Sequence, residues 1–265
     1  RSTLFPYTTL FRSRTGRNSV REICAEFPDA YWAKCDSEHI FPWDFHKALA
    51  AGGWAGVTIP ENYGGAGLGI TEAALVLEEV AASGAAINGC SVIHGGIFGL
   101  EPLVRFGTDE QKRQYLPKVA AGEMHIAFGV TEPNAGVDTS RIITSARREG
   151  DVYIVNGAKV WTSKALESDK VLLLVRTKPL DQCKHRMDGL SLLLANLQVP
   201  EVTITPIAKA ARNAVASCET VYRDLPVAVT DLIGEEHEGF KCLLPGLNAR
   251  SEEHTSELQS QNRIS

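Results

Sequence analysis

The sequence predicts an α+β protein: an N-terminal helical bundle, then an antiparallel β barrel or sandwich, then the start of a truncated helical domain. Three observations carry this expectation. Apolar residues recur at three- and four-residue spacing up to about Gly122, the period changes to two after Met124, and helical spacing returns near Gly239. No helical pattern separates the strand-like segments, which argues for an antiparallel sheet rather than β-α-β units.

Taken in order, Phe45 to Ala51 reads as a helix stopped by Gly52-Gly53. Ile70, Ala74, Leu77 and Ala81, with Ala73 and Val80, form the stripe of a second helix; Thr71 can cap it and Glu72 suits its first turn. Thr108-Asp109-Glu110-Gln111 is a capping box opening a helix through Tyr115 and Val119. Four or five such helices with short links make a bundle. In the β part, Asp151 to Val155 and Ala158 to Trp161 flank Asn156-Gly157, a strong two-residue hairpin signal. Val171 to Val175, Leu190 to Leu194, Val202 to Ile204 and Glu219 to Tyr222 supply further strands. Phe240, Leu243, Leu244 and Leu247 then restore the helical period.

Composition narrows the function. Of 265 residues, 44% are hydrophobic and 22% charged, which suits a globular chain with a real core. A formal net charge of −5 without a basic cluster argues against nucleic acid. No apolar run approaches the ~18 residues of a membrane span. Six cysteines without a C-x-x-C pair read as free thiols of a reducing compartment, and seven scattered histidines give no metal-site spacing, so no metal is assigned.

The two ends read as non-native. Phe11-Arg12-Ser13 can be encoded by TTC CGA TCT, whose reverse complement encodes Arg-Ser-Glu, the tripeptide at Arg250-Ser251-Glu252. Residues 1–13 and 250–265 are therefore expected to be translated sequencing-adapter DNA and stand outside the fold reasoning. The expected domains are 14–125 (helical), 126–232 (β) and 233–249 (start of a helical domain).

Two segments look chemical. Asn62 to Gly69 has glycines at 65, 67 and 69, but Ile70 stands where a dinucleotide loop needs its last glycine, and no β-α-β unit surrounds it; a flexible turn between helices is the better account. Val130 to Asp138, VTEPNAGVD, is a Pro- and Gly-bearing loop after an apolar run, able to point main-chain N–H groups at a ligand. About two dozen residues later, Trp161-Thr162-Ser163 sets an apolar plate beside two hydroxyls. Glu132 and Asp138 read as exposed turn or cap carboxylates rather than a catalytic base.

This pair of segments resembles the flavin-binding signature of the acyl-CoA dehydrogenase family. Residues 55–69, Leu77 to Ala81, 107–122 and Val229 to Phe240 resemble other stretches of the family in the same order. The resemblance implies an FAD enzyme that forms an α,β double bond in an acyl-CoA thioester, a glutamate taking the α-proton while a β-hydride passes to the flavin. It implies flavin contacts from Phe128, Val130, Thr131, Gly136, Val137, Trp161, Thr162 and Ser163, with Val137 and Asn248 near the acyl-CoA. It further implies a homo-oligomer when full length, an electron-transfer flavoprotein as partner, and a cytoplasmic location, or the mitochondrial matrix in a eukaryote. The same resemblance leaves open an acyl-CoA oxidase or flavin monooxygenase of this fold, or a non-catalytic flavin- or acyl-CoA-binding protein. Two departures stand out. Val137 occupies a position where the family usually has Ser. The family's base lies in the C-terminal domain or, in one branch, in a Leu-Asn-Ala-Glu-Arg pattern, whereas Leu247-Asn248-Ala249 is followed here by Arg250. No catalytic residue is assigned.

Overall fold

The computed structural model describes residues 7–250, which form two compact units. The first comprises the chain up to Ile97 together with Tyr115–Met124 and Ala208–Ala216. Its helices are α1 (Tyr7–Ala25), α2 (Asp29–Ser37), α3 (Trp43–Ala51), α4 (Ile70–Ala82) and α5 (Ala86–Ile97). The helix α1 runs back into the segment read as adapter-like. Trp32 and Phe45 meet edge-to-face at 4.8 Å, and Val20, Leu49, Val76, Val80 and Val92 close the core around them.

Two details of α4 depart from expectation. Its N-cap is Gly69, whose N–H donates to Glu72 Oε2 at 3.0 Å, so the helix starts one residue before Thr71 could cap it. Its buried positions are Ala73, Val76, Glu79 and Val80; Ala73 and Val80 lie inward as expected, whereas Ile70, Ala74 and Ala81 are exposed. The cause is Glu79, which is buried on this side because Arg17 and Arg21 of α1 bind its carboxylate. Burial alone would raise the pKa of Glu79, but the two guanidinium groups hold it below the ordinary value.

The glycine-rich loop 64–69 is ordered by its own amides. Ala66, Gly67 and Leu68 donate to the carbonyls of Gly56, Ile59 and Val57 at 3.0, 2.8 and 2.9 Å. A Cβ at Gly65 would stand 2.0 Å from Ile59 O, so glycine is what lets the two segments touch. These donors are spent on protein carbonyls, which removes them from any phosphate.

The second unit holds Phe98–Gln114, His125–Ile207 and Ser217 onward. It contains α6 (Glu101–Phe106), the start of α7 (Asp109–Ala120) and α8 (Gly239–Arg250) beside one eight-stranded sheet. The predicted capping box is present: Thr108 N–H donates to Gln111 Oε1 at 2.8 Å and Gln111 N–H to Thr108 Oγ1 at 3.2 Å. The strands are β1 (Ile126–Gly129), β2 (Ser145–Glu149), β3 (Val152–Ser163), β4 (Lys170–Arg176), β5 (Leu190–Asn196), β6 (Val202–Pro206), β7 (Ser217–Ala228) and β8 (Leu232–Ile233). Their order is β6-β7-β3-β2-β4-β5-β8, with β1 attached to β4. Pairing is mostly antiparallel, but β1 runs parallel to β4. The centres of β4 and β5 are unbroken apolar runs buried on both faces. Among the described residues no helix is long and apolar enough to cross a membrane.

The expected hairpin at Asn156-Gly157 does not form. Both residues lie inside the twelve-residue strand β3, and the chain reverses instead at Gly150-Asp151, between the paired residues Glu149 and Val152. Gly157 marks a bulge opposite β7 and has φ +146, which L side chains rarely adopt; a Cβ there would lie 2.7 Å from Thr144 Cα. Gly157→Ala is expected to destabilise by about 1–3 kcal/mol, and clearly more than Gly150→Ala, whose Cβ would meet open space. Urea unfolding midpoints of the two variants decide this; equal or reversed costs would contradict it.

Candidate functional site

The sequence-predicted residues converge at one place in the second unit. The loop 130–138 leaves the end of β1, and Trp161-Thr162-Ser163 ends β3. Val160 N–H donates to Thr131 O at 2.9 Å, joining the two motifs directly. Beside this bond Lys159, fully buried on β3, sends its Nζ to Val130 O at 3.1 Å and to Glu132 Oε1 at 2.8 Å.

Glu132 is therefore not the exposed turn carboxylate expected from the Pro-Asn that follows it. It is 4% exposed, and besides Lys159 it accepts from the N–H groups of Ile143 at 2.8 Å and Thr144 at 2.9 Å. Burial pushes its pKa up, but the ammonium of Lys159 and the two amides more than offset this and hold it below the usual value. Burial likewise lowers the pKa of Lys159 to about 8, against the opposing pull of Glu132. Near neutral pH the pair is ionic, and its polar atoms are well supplied with partners.

The same carboxylate ties the loop to its return segment, which Arg176 secures from the other side. Its guanidinium donates to Ile142 O at 3.0 Å and to Ser140 O, Asp188 O and Arg186 O at 3.1 Å each. Asp138 caps the short 3-10 turn that follows, accepting from Ser140 N–H at 3.2 Å. The hydroxyl and N–H of Ser140 lower its pKa, as suits a cap rather than a base.

What this scaffold presents is an open face of main-chain donors, one aromatic plate and the half-buried hydroxyl of Ser163. The N–H groups of Thr131, Gly136 and Val137 donate to no protein acceptor among the described residues. Val137 is fully exposed, and Phe128, Val130 and Thr131 are half-buried. Trp161 is 57% exposed at φ +61, a left-handed conformation costly for a bulky residue. The strain comes from a bulge: Val160 and Trp161 fall between Lys159, opposite Thr220, and Thr162, opposite Cys218. Thr162 is fully buried, and its Oγ1 meets no partner among the described residues, while Ser163 is half-buried beside it. The half-buried Ser163 hydroxyl, a strained exposed indole and unspent amides suit a flat ligand edged with hydrogen-bonding atoms, and an FAD ring fits that description. Asn248 lies outside the residues whose side chains are described.

Sequence reasoning missed Lys159 and misjudged Glu132. The buried positions on β3 are Tyr153, Val155, Lys159 and Thr162. Carrying the period-two pattern from Tyr153 through Asn156-Gly157 would have placed Lys159 inward, where a lysine demands an acidic partner.

Comparison with known proteins identifies the family. Residues 13–123 match the acyl-CoA dehydrogenase N-terminal domain and residues 127–225 the acyl-CoA dehydrogenase middle domain. The chain is 36% identical to acyl-CoA dehydrogenase FadE26 of Mycobacterium tuberculosis over 74% of its own length and 48% of that protein's. It is 32% identical to FadE12 of the same species over 88% of its length and 58% of the relative's. The chain thus spans about half the length of these curated relatives. A probable acyl-CoA dehydrogenase of Mycobacterium abscessus superposes with TM-score 0.80 at 30% identity, covering 93% of this chain and 63% of that one. A prolyl acyl carrier protein oxidase, AnaB, superposes with TM-score 0.81 at 28% identity, over 89% of this chain and 62% of that one.

Lys159→Met is expected to destabilise by about 3–5 kcal/mol at neutral pH, because it strands a buried carboxylate. Without the ammonium, burial raises the Glu132 pKa above its unfolded value. The folded variant then binds more protons than the unfolded one, and stability falls as pH rises through that window. Urea unfolding from pH 4 to 8 should therefore show the gap to the unaltered chain widening with pH; a constant gap would contradict the assignment.

Proposed function

Because the chain belongs to the acyl-CoA dehydrogenase family, we propose that the whole protein is an FAD-dependent dehydrogenase that introduces an α,β double bond into an acyl-CoA thioester. The observation that carries this reading is the junction of the loop 130–138 with Trp161–Ser163 through Lys159 and Val160, with unspent donors facing outward. When bound, FAD supplies the acceptor for the β-hydride.

The chain's own residues have defined tasks in this reading. Thr131 N–H and the Ser163 hydroxyl hold polar edges of the flavin ring, Thr162 backs them from the interior, and Phe128 and Val130 border it. Trp161 lies against the ring as an apolar plate and keeps water from that side. The amides of Gly136 and Val137 bind anionic oxygens of the cofactor or the acyl-CoA, and because they are main-chain groups the valine at 137 leaves them intact. Asn248 borders the acyl-CoA. Neither Glu132 nor Asp138 is the base: the first is held by Lys159 and the second by Ser140. The whole protein would work as a homo-oligomer with an electron-transfer flavoprotein as partner, in a bacterial cytoplasm or a mitochondrial matrix. An isovaleryl-CoA dehydrogenase of Pongo abelii that is described as mitochondrial, 31% identical over 77% of this chain, supports the second location. The likeness to AnaB favours an acyl-thioester oxidase as the second reading.

Adding acyl-CoA thioesters to the full-length, FAD-loaded protein under anaerobic conditions tests the reading. Bleaching of the flavin with enoyl-CoA formation supports it, no bleaching by any acyl-CoA overturns it, and rapid reoxidation by oxygen favours the oxidase. Trp161→Gly should relieve the left-handed strain, leaving ligand-free stability equal or higher, yet weaken FAD about three- to tenfold through lost ring contact. Thermal unfolding and FAD titration of that variant check both halves; lower stability with unchanged affinity would contradict it.

A further inference from the structure

We propose that Lys159 is a positioning residue for cofactor binding: by holding the Val130 carbonyl inward, it turns the Thr131 N–H outward as a fixed, polarised donor. The inference rests on the flavin reading above and adds to it the residue that sets the donor. Its basis is peptide geometry. In a trans peptide the C=O and N–H lie in one rigid plane and point in opposite directions, and the described chain contains no cis bond. Lys159 Nζ lies 3.1 Å from Val130 O, on the buried side of the loop. The N–H of the same peptide, that of Thr131, must therefore point the other way, and it meets no protein acceptor among the described residues.

The next peptide is fixed from the same strand, since Thr131 O accepts from Val160 N–H at 2.9 Å. A rotation of the 130–131 plane would strand the ammonium and break this register together. The ammonium also draws electron density from the Val130 oxygen, which makes the Thr131 N–H a stronger donor. Such a donor stabilises negative charge arising at its acceptor, without reorganisation during the reaction. Glu132 completes the device by accepting from the same Nζ at 2.8 Å, which keeps the ammonium charged although it is buried.

The test uses the ligand-free chain first and then the same samples with FAD added. In the ligand-free chain, Lys159→Met should move the Val130 carbonyl-carbon resonance away from its hydrogen-bonded position. The double variant Lys159→Met/Glu132→Gln should do the same; it leaves no buried carboxylate without its cation and so guards against a single variant that fails to fold. With FAD, both variants should bind about tenfold more weakly, as the loss of one oriented donor implies, and bound FAD should show a lower midpoint potential. A merely structural lysine would leave the potential unchanged. A folded variant with an unmoved Val130 resonance overturns the inference, as does a moved resonance with unaltered FAD affinity and potential. If the unaltered chain takes up no FAD, the cofactor reading is what fails, and the Val130 resonance still decides whether Lys159 orients the peptide.

Discussion

The ion pair between Lys159 and Glu132 is the constraint on which the candidate site depends. Two opposite charges lie out of water at 2.8 Å, and such burial is tolerated only when nearly every donor and acceptor is used. Here the requirement is met by main-chain groups from two segments: Val130 of the loop, and Ile143 and Thr144 of its return, supply the remaining partners. The loop after β1, its return segment and the end of β3 therefore cannot shift independently. A site built on a loop gains in this way the precision expected of one built on a strand.

The consequence is a division of labour between the two sides of the loop. Side chains work inward, as a knot of charge and hydrogen bonds, while the outward side is largely main chain. That arrangement lets Val137, fully exposed, stand where the resemblance implies serine without removing the amide beneath it. It also explains where strain is tolerated. The bulge at Val160-Trp161 forces an exposed tryptophan into the left-handed region and buries the hydroxyl of Thr162 without a partner. Both features cost stability in the ligand-free chain, and the exposed indole gains a purpose once a flat ligand sits against it.

Much of the architecture was legible because it is local. The change of period at Met124 and the capping box at Thr108 depend on neighbours within one turn, and both appear as read. The chemical motifs were legible for the same reason: Thr-Glu-Pro-Asn-Ala-Gly and Trp-Thr-Ser carry their character in adjacent residues. What escaped was non-local. Asn156-Gly157 has the composition of a turn, but Thr144 packs where a Cβ would be, so the glycine serves a strand crossing instead. The buried face of α4 was misread because Glu79 is neutralised by residues 58 and 62 positions away. Glu132 read as a turn carboxylate when taken singly, and Lys159, 27 residues away, carried no signal of burial by itself. Only as a pair do they belong inside.

A double-mutant cycle between Glu132 and Lys159, read by urea unfolding at neutral pH, tests the central claim most directly. If the two side chains form one buried unit, Glu132→Gln and Lys159→Met should each destabilise strongly while the double variant costs far less than their sum. The coupling should then reach about 2–3 kcal/mol, at the upper end of what contacting residues show. Additive losses would mean that the pair does not hold the two motifs together, and the account of the site would fail with it.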